Sequence, residues 1–211
     1  MAASAKNKPN SSDTSRTIPI VGIVVGIIVV LAVIAIVFAG NTEPGNEYGD
    51  PQVSGQLSLM PPNTRVDATA NGETSPTVIG QDFDGNEVRI ENDGRAKAIV
   101  LLAHWCGFCQ NEVPTVQAWL DSGGGVEGVD IYSIATAMDS NRDNFPPSAW
   151  FDREGWTVPV IRDDSNNSVH TAYGSGGFPF WVFVNSDGTV AFRLAGATTI
   201  EELELIMSEL T

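Results

Sequence analysis

Apolar and polar positions alternate in short segments over residues 77–210, and their spacing predicts strands and helices in turn. Short apolar or β-branched runs indicate strands, whereas apolar residues three and four apart indicate helices. Two pairs of predicted strands flank Asp-Gly turns, which is typical of β-hairpins. The predicted strands are 77–80, 87–90, 98–103, 129–136, 158–161, 180–184 and 190–194, and the predicted helices are 106–121, 146–154, 166–173 and 199–210. This order predicts an α/β fold, with a mixed sheet flanked by helices.

A long apolar segment lies near the N-terminus. Residues 18–39 contain no charged residue, and as a helix they would span about 33 Å, enough to cross a bilayer core of about 30 Å. Lys6, Lys8 and Arg16 precede the segment, whereas the next basic residue after it is Arg65. This asymmetry places the N-terminus in the cytoplasm and the rest of the chain outside. A cleaved signal peptide is the alternative, but its apolar core is usually shorter, so we predict an uncleaved single-pass anchor in the cell membrane.

The charge and composition divide the chain further. The net charge is −15, and residues 1–39 hold three basic residues and one acidic residue, so residues 40–211 carry −17. Such an acidic domain is a poor partner for nucleic acid. Residues 1–17 are small and polar, which predicts a disordered cytoplasmic tail. Residues 40–75 are rich in turn-forming and polar residues, which predicts a flexible linker, with local packing of residues 53–60 as the alternative. Residues 76–211 have the length of one compact domain.

The only two cysteines of the sequence, Cys106 and Cys109, lie between a predicted strand and a predicted helix. Unpaired N–H groups and the dipole at a helix N-terminus stabilise a thiolate, which is the form that attacks disulfides. A structural disulfide usually closes a longer loop. A zinc site usually needs four ligands, whereas this sequence has no second cysteine pair, and its histidines, His104 and His170, lie far apart. Outside the cytoplasm, the pair is better explained as a redox-active dithiol.

Four sequence features occur in a particular order. They are an apolar strand ending in Trp105-Cys106-Gly107-Phe108-Cys109, then Glu112 and Pro114 in a Cys-x-x-Glu-x-Pro pattern, then Gly177-Phe178-Pro179-Phe180 before a strand, and lastly the turn Val184-Asn185-Ser186-Asp187-Gly188 before a closing helix. Together they resemble the TlpA-like family of bacterial, membrane-anchored, extracytoplasmic thiol–disulfide oxidoreductases. The resemblance runs from Thr77 to Leu210 and implies a thioredoxin-like fold behind an N-terminal transmembrane helix.

The resemblance also implies roles for residues. Cys106 would be the attacking thiolate, and Cys109 would be the thiol that resolves the mixed disulfide. Glu112 shares a helix face with Cys109 and would tune the protonation of the dithiol, although a surface carboxylate is the alternative. Pro179, in a cis peptide bond, would lie against the dithiol, where a trans proline opening a strand is the alternative. The implied substrate-binding residues are Trp105, Phe178 and Pro179.

Three further positions affect the chemistry of the pair. A protonated His104 would lower the pKa of Cys106, and the alternative is a solvent-facing loop residue. Val100 stands where cytoplasmic thioredoxins carry a buried aspartate, so proton transfer would need another group. The residues between the cysteines, Gly107-Phe108, include no proline. Because these residues set the reduction potential, the resemblance alone leaves the direction of electron flow open.

We therefore predict a membrane-tethered thiol–disulfide oxidoreductase. Its partners would be extracytoplasmic proteins with thiols or disulfides and a membrane electron donor, and exchange requires no bound cofactor and no metal. We favour reduction, of apocytochrome c or of other exported proteins. Oxidation of exported protein thiols is the close alternative. A copper or zinc carrier that uses the cysteines and a histidine, and a non-catalytic docking module, are the remaining alternatives.

Overall fold

The computed structural model describes residue 1 and residues 47–211. The chain divides into two units, Met1–Gly45 and Asn46–Thr211. The predicted cytoplasmic tail, apart from its first residue, and the predicted membrane anchor lie outside the described residues. No helix in the described part of the chain has the length and apolar character needed to cross a membrane.

The second unit contains nine strands and four helices within the described residues. In chain order they are β1 (Gln52–Ser54), β2 (Val66–Asp67), β3 (Thr77–Gln81), β4 (Glu87–Ile90), β5 (Ala96–Leu102), α1 (Gly107–Asp121), β6 (Val129–Ala135), α2 (Pro147–Glu154), β7 (Val160–Arg162), α3 (Ser168–Ala172), β8 (Phe180–Val184), β9 (Val190–Ala195) and α4 (Ile200–Ser208). Every strand and helix predicted over residues 77–210 is present, with bounds that differ by one or two residues in most cases. The α1 helix continues through Pro114.

A mixed sheet lies at the centre of this unit, in the order β2-β9-β8-β5-β6-β7. The strands β5, β6 and β7 are parallel, whereas β8 is antiparallel to β5, and β9 and β2 continue the antiparallel half. All seven residues of β5 are buried, because this strand has a neighbour on each side and packing on each face. The predicted mixed sheet flanked by helices is confirmed, and it is the thioredoxin-like arrangement.

The two faces of the sheet are covered differently. Successive side chains of a strand point to opposite faces, so Val100 and Leu102 of β5 face one side and Ile99 and Leu101 the other. The first side packs against α1 and α4, through Val113, Val116, Trp119, Leu203 and Met207. The second side packs against α3 and the small sheet β1-β3-β4, through Val169, Val78 and Ile90. Each such buried side chain stabilises the fold by about 1.5–3 kcal/mol.

The structure corrects the linker predicted at residues 40–75. Residues 47–75 belong to the folded unit, whereas residues 40–46 lie outside the described part. In this segment β1 pairs with β3 and β2 pairs with β9. The buried apolar side chains of the segment are Leu57, Met60 and Ala70. Strands of three and two residues are too short to show a periodic pattern, so the composition of the segment suggested a linker instead.

A buried cation ties this segment to the main sheet. Arg193 of β9 pairs with Asp67 of β2, with 3.0 Å between Nε and Oδ2, and both side chains are buried. Its Nη1 also donates to the carbonyl oxygens of Ser58 at 2.6 Å and of Tyr173 at 3.0 Å. One guanidinium therefore joins the segment before β2, strand β9 and the end of α3.

Candidate active site

The two cysteines lie at the N-terminus of α1, with Cys106 at the capping position and Cys109 one turn inside. Both are free thiols; Cys106 is half-buried and Cys109 is fully buried. A hydrogen bond from the Cys109 thiol, together with the backbone N–H groups of Cys109 and Phe108, lowers the pKa of Cys106 to about 6. Burial raises the pKa of Cys109. At neutral pH the pair therefore holds one reachable thiolate and one protonated thiol.

The loop before β8 lies against Cys106. The Sγ of Cys106 is 3.5 Å from the carbonyl oxygen of Phe178, although the two residues are 72 positions apart in the sequence. The peptide bond between Phe178 and Pro179 is cis. Within the loop, the hydroxyl of Ser175 donates to the carbonyl oxygen of Gly177 at 3.1 Å. The fold thus brings together the predicted residues Cys106, Phe178 and Pro179.

Aromatic side chains of Trp105, Phe108 and Phe178 belong to the segments that adjoin the half-buried Cys106. The Trp105 ring meets the Phe178 ring edge to face, with 6.0 Å between centroids, and its Nε1–H donates to the carbonyl oxygen of Ala137 at 2.6 Å. The guanidinium of Arg142 lies 4.6 Å from the centre of the Trp105 ring. Phe108, between the cysteines, is 63% exposed. The surface around the thiolate is therefore largely apolar, with one cation at its margin.

Glu112 is a buried carboxylate one turn after Cys109 on α1, not a surface residue. Its Oε1 accepts a hydrogen bond from Nε1–H of Trp181 at 2.5 Å, and its Oε2 accepts one from the backbone N–H of Thr198 at 3.1 Å. Burial raises the pKa of Glu112, while these two donors and the charge of Arg65 act in the opposite direction. The charge of Glu112 also contributes to the raised pKa of Cys109, so the two groups interact.

His104 differs from both of its predicted roles. Its side chain is 1% exposed, so it is not a solvent-facing residue. Its Nε2 accepts the backbone N–H of Asp139 at 3.1 Å, and Nδ1 lies 2.7 Å from the carbonyl oxygen of Asp143, to which it donates. Burial lowers the pKa of His104. The ring is therefore neutral and supplies no positive charge to Cys106.

The other histidine packs beside the proline loop. The ring of His170 lies 5.2 Å from that of Phe178, and burial lowers its pKa. Within residues 47–211, no group of three or more His, Cys, Asp or Glu side chains is arranged to hold a metal ion.

Sequence reasoning missed three residues at the site: Trp181, Thr198 and Arg142. Trp181 and Thr198 are 69 and 86 positions from Glu112, the residue that they contact. Arg142 comes from the loop between β6 and α2. No local sequence pattern predicts these contacts, because they form only when folding brings distant strands and loops together.

Thiol–disulfide exchange requires an ionised sulfur that a substrate can reach and a second thiol able to attack the first. Cys106 and Cys109 meet these two requirements on a thioredoxin-like sheet, and they define the class of thiol–disulfide oxidoreductases. Comparison with known families leads to the same class. The thioredoxin-like domain family matches residues 69–211, and the chain belongs to this family.

Individual relatives carry the corresponding names. The thiol-disulfide oxidoreductase ResA of Geobacillus thermodenitrificans is 28% identical over 144 residues, which cover 67% of this chain and 78% of the relative. ResA of Bacillus thuringiensis is 24% identical over 141 residues, which cover 66% of this chain and 78% of the relative.

Solved structures share the fold at lower identity. A DsbF homologue from Corynebacterium diphtheriae superposes with a TM-score of 0.56 at 15% identity, covering 74% of this chain and 100% of that structure. A putative thiol:disulfide interchange protein DsbE from Chlorobium tepidum gives a TM-score of 0.55 at 18% identity, covering 67% and 97%.

Proposed function

We propose that this thiol–disulfide oxidoreductase is tethered to the cell membrane and reduces disulfide bonds of extracytoplasmic proteins. The observation that carries the proposal is the state of Cys106, a half-buried sulfur at a helix N-terminus with a pKa of about 6. The uncharged apolar segment at residues 18–39, with basic residues before it, supports the tether and an N-terminus in the cytoplasm.

Reduction begins when the Cys106 thiolate attacks one sulfur of a substrate disulfide. A bond forms between the Sγ of Cys106 and that sulfur while the substrate S–S bond breaks. The second substrate sulfur leaves as a thiolate and takes a proton from water. Trp105, Phe108 and Phe178 present the apolar surface on which the polypeptide around the disulfide rests, and no bound cofactor takes part.

The second step releases the reduced substrate. Cys109 gives its proton to the carboxylate of Glu112, and the resulting thiolate attacks the Sγ of Cys106. The Cys106–Cys109 bond forms, the mixed disulfide breaks, and the remaining substrate sulfur leaves as a thiolate. Two electrons have passed from the protein dithiol to the substrate disulfide. A dithiol donor at the membrane returns the protein to its reduced form.

The first test traps the mixed disulfide. Cys109→Ser keeps the attacking thiolate and removes the resolving thiol, so it should accumulate a covalent adduct with a disulfide-containing protein such as insulin. Acid quenching, alkylation and non-reducing electrophoresis measure the adduct. Cys106→Ser is the matched control and should trap nothing. Wild-type rates of insulin reduction by Cys106→Ser would contradict the proposed function.

Two measurements address direction and location. A reduction potential of the dithiol of about −270 mV supports a reductase, whereas a value of about −120 mV supports the alternative, an oxidase of exported protein thiols.

In intact cells, a membrane-impermeant maleimide should label Cys106. Labelling only after lysis would place the dithiol in the cytoplasm and exclude an extracytoplasmic role.

A further inference from the structure

We propose that Trp181 is a positioning residue for the resolving step: its indole N–H holds the Glu112 carboxylate beside Cys109, in the orientation and charge state that accept the thiol proton. This inference rests on the proposed function, because it assigns a role in the exchange reaction of the same dithiol.

The carboxylate is fixed at both oxygens. Trp181 donates to Oε1 at 2.5 Å, and the backbone of Thr198 donates to Oε2 at 3.1 Å. Glu112 is 5% exposed and Trp181 is 1% exposed, so water does not readily replace the indole donor. Because an indole has one N–H and no acceptor, its direction is unambiguous. Rotation of the carboxylate would break at least one of these two hydrogen bonds.

Three other charged or titratable groups act on Glu112 or respond to it. Cys109 lies on the same helix, Arg65 precedes β2, and Glu202 lies on α4. Arg65 lowers the pKa of Glu112 and Glu202 raises it, but these two bind each other through two hydrogen bonds of 2.9 and 2.8 Å. In the described part of the chain, no side chain other than Trp181 donates a hydrogen bond to Glu112. Trp181 is therefore the side chain best placed to stabilise the ionised carboxylate.

The location of Trp181 connects the two halves of the site. It lies on β8, two residues after Pro179, so the strand that holds the indole begins at the substrate loop. On the neighbouring strand it pairs with Val100, which carries no polar group that could serve Glu112 instead. Its ring stacks on Phe183 at 5.9 Å between centroids, which fixes the direction of the N–H.

The test is Trp181→Phe, which removes the N–H and keeps an aromatic ring. Losing a donor to the ionised form disfavours that form, so the pH midpoint of the resolving step should rise by about one pH unit. Below the midpoint, resolution of a preformed mixed disulfide should slow about tenfold. Stopped-flow release of a thiol-linked fluorophore from Cys106 measures the rate at each pH.

The chain supplies a matched control. Trp119, also in the core, donates from Nε1 to Oε1 of Glu204 at 2.8 Å, so Trp119→Phe removes the same kind of bond elsewhere. Its pH midpoint should equal that of the wild type. In the background of Glu112→Gln, Trp181→Phe should cause no further shift. A shift that persists without the carboxylate, or one that Trp119→Phe reproduces, overturns the assignment.

A measurement on the unaltered protein covers the case in which Trp181→Phe does not fold. In the reduced, ¹⁵N-tryptophan-labelled chain, one indole resonance should titrate with the same midpoint as the resolving step, and it should cease to titrate in Glu112→Gln. Absence of any such titrating indole contradicts the role of Trp181. Failure of the proposed function is distinct, because it would appear as a wild-type protein that does not exchange disulfides.

Discussion

Cys109 stabilises the negative charge of the Cys106 thiolate and itself stays protonated. The thiol of Cys109 donates to the Cys106 sulfur, and burial keeps Cys109 itself protonated. Because only one of the two sulfurs is both ionised and reachable, the proposed mechanism begins with attack by Cys106. In the proposed mechanism, Cys109 ionises only in the resolving step, in which Glu112 would act as the base.

The donor role of Cys109 can be measured directly. Cys109→Ala removes the hydrogen bond to the thiolate, so the pKa of Cys106 should rise from about 6 toward that of a free cysteine. The rate of alkylation by iodoacetamide as a function of pH reports this pKa. Cys109→Ser is the matched variant, since its hydroxyl still donates and should retain part of the effect. An unchanged midpoint in Cys109→Ala contradicts the explanation.

The same pKa predicts a pH dependence of stability. The folded protein favours the Cys106 thiolate, so its pKa when folded is lower than when unfolded. The corresponding stabilisation is fully present above the pKa of the unfolded chain. It is lost as the pH falls through about 6.

The side chain of His104 is one of several that hold the loop following β6. The ring of His104 binds the backbone of Asp139 and Asp143, and its own carbonyl oxygen accepts from Gln110 at 3.0 Å. This loop places the guanidinium of Arg142 over the ring of Trp105, the residue that precedes Cys106. His104, for which the sequence left open a charged role and a solvent-facing position, is instead a buried neutral ring that links the chain just before Trp105 to the loop after β6.

Replacing His104 tests this link. His104→Leu removes two partly buried hydrogen bonds, to the backbone of Asp139 and of Asp143, so the free energy of unfolding should fall by about 1–3 kcal/mol at pH near 7.5. Burial lowers the pKa of His104, so the wild type loses its advantage as the pH falls below about 6.5, where the unfolded chain takes up a proton. Urea denaturation of both proteins at about pH 7.5 and pH 5 should show a smaller difference at the lower pH. An equal difference at both values contradicts the neutral-ring assignment.

Strong local signals account for what the sequence predicted correctly. The run at β5 and the Cys-x-x-Cys before α1 are contiguous, so periodicity and spacing identified them. The strands β1 and β2 have three and two residues, and they become strands only because β3 and β9 offer partners. The contact between Trp181 and Glu112 joins strand β8 to helix α1 across 69 positions of the sequence, so only the folded structure reveals it.

A buried ion pair joins β2 to β9 at one side of the main sheet. Arg193 and Asp67 are both excluded from solvent, and the remaining donors of the guanidinium bind the backbone at Ser58 and Tyr173. Tyr173 is the C-cap residue of α3, and the chain continues from it into the loop containing Pro179. The pair therefore links the packing of residues 47–75 to the segment that lies against the dithiol.

Breaking this pair should be costly. Arg193→Met leaves the Asp67 carboxylate buried without its cation, so the free energy of unfolding should fall by about 3–5 kcal/mol. Arg89→Met breaks exposed ion pairs with Glu87 and Glu91 and should cost no more than about 1 kcal/mol. Denaturant titration compares the two variants. A loss for Arg193→Met as small as that for Arg89→Met would show that the buried pair contributes little.

The outermost strands of the main sheet are β2 and β7, with two and three residues. Long open borders of a sheet expose rows of N–H and C=O groups on which another chain can add and begin to aggregate. Here those rows are short, so few positions can template fibre growth. If the proposed function holds, polypeptide substrates with unpaired cysteines meet little open backbone of this main sheet on which they could add as further strands.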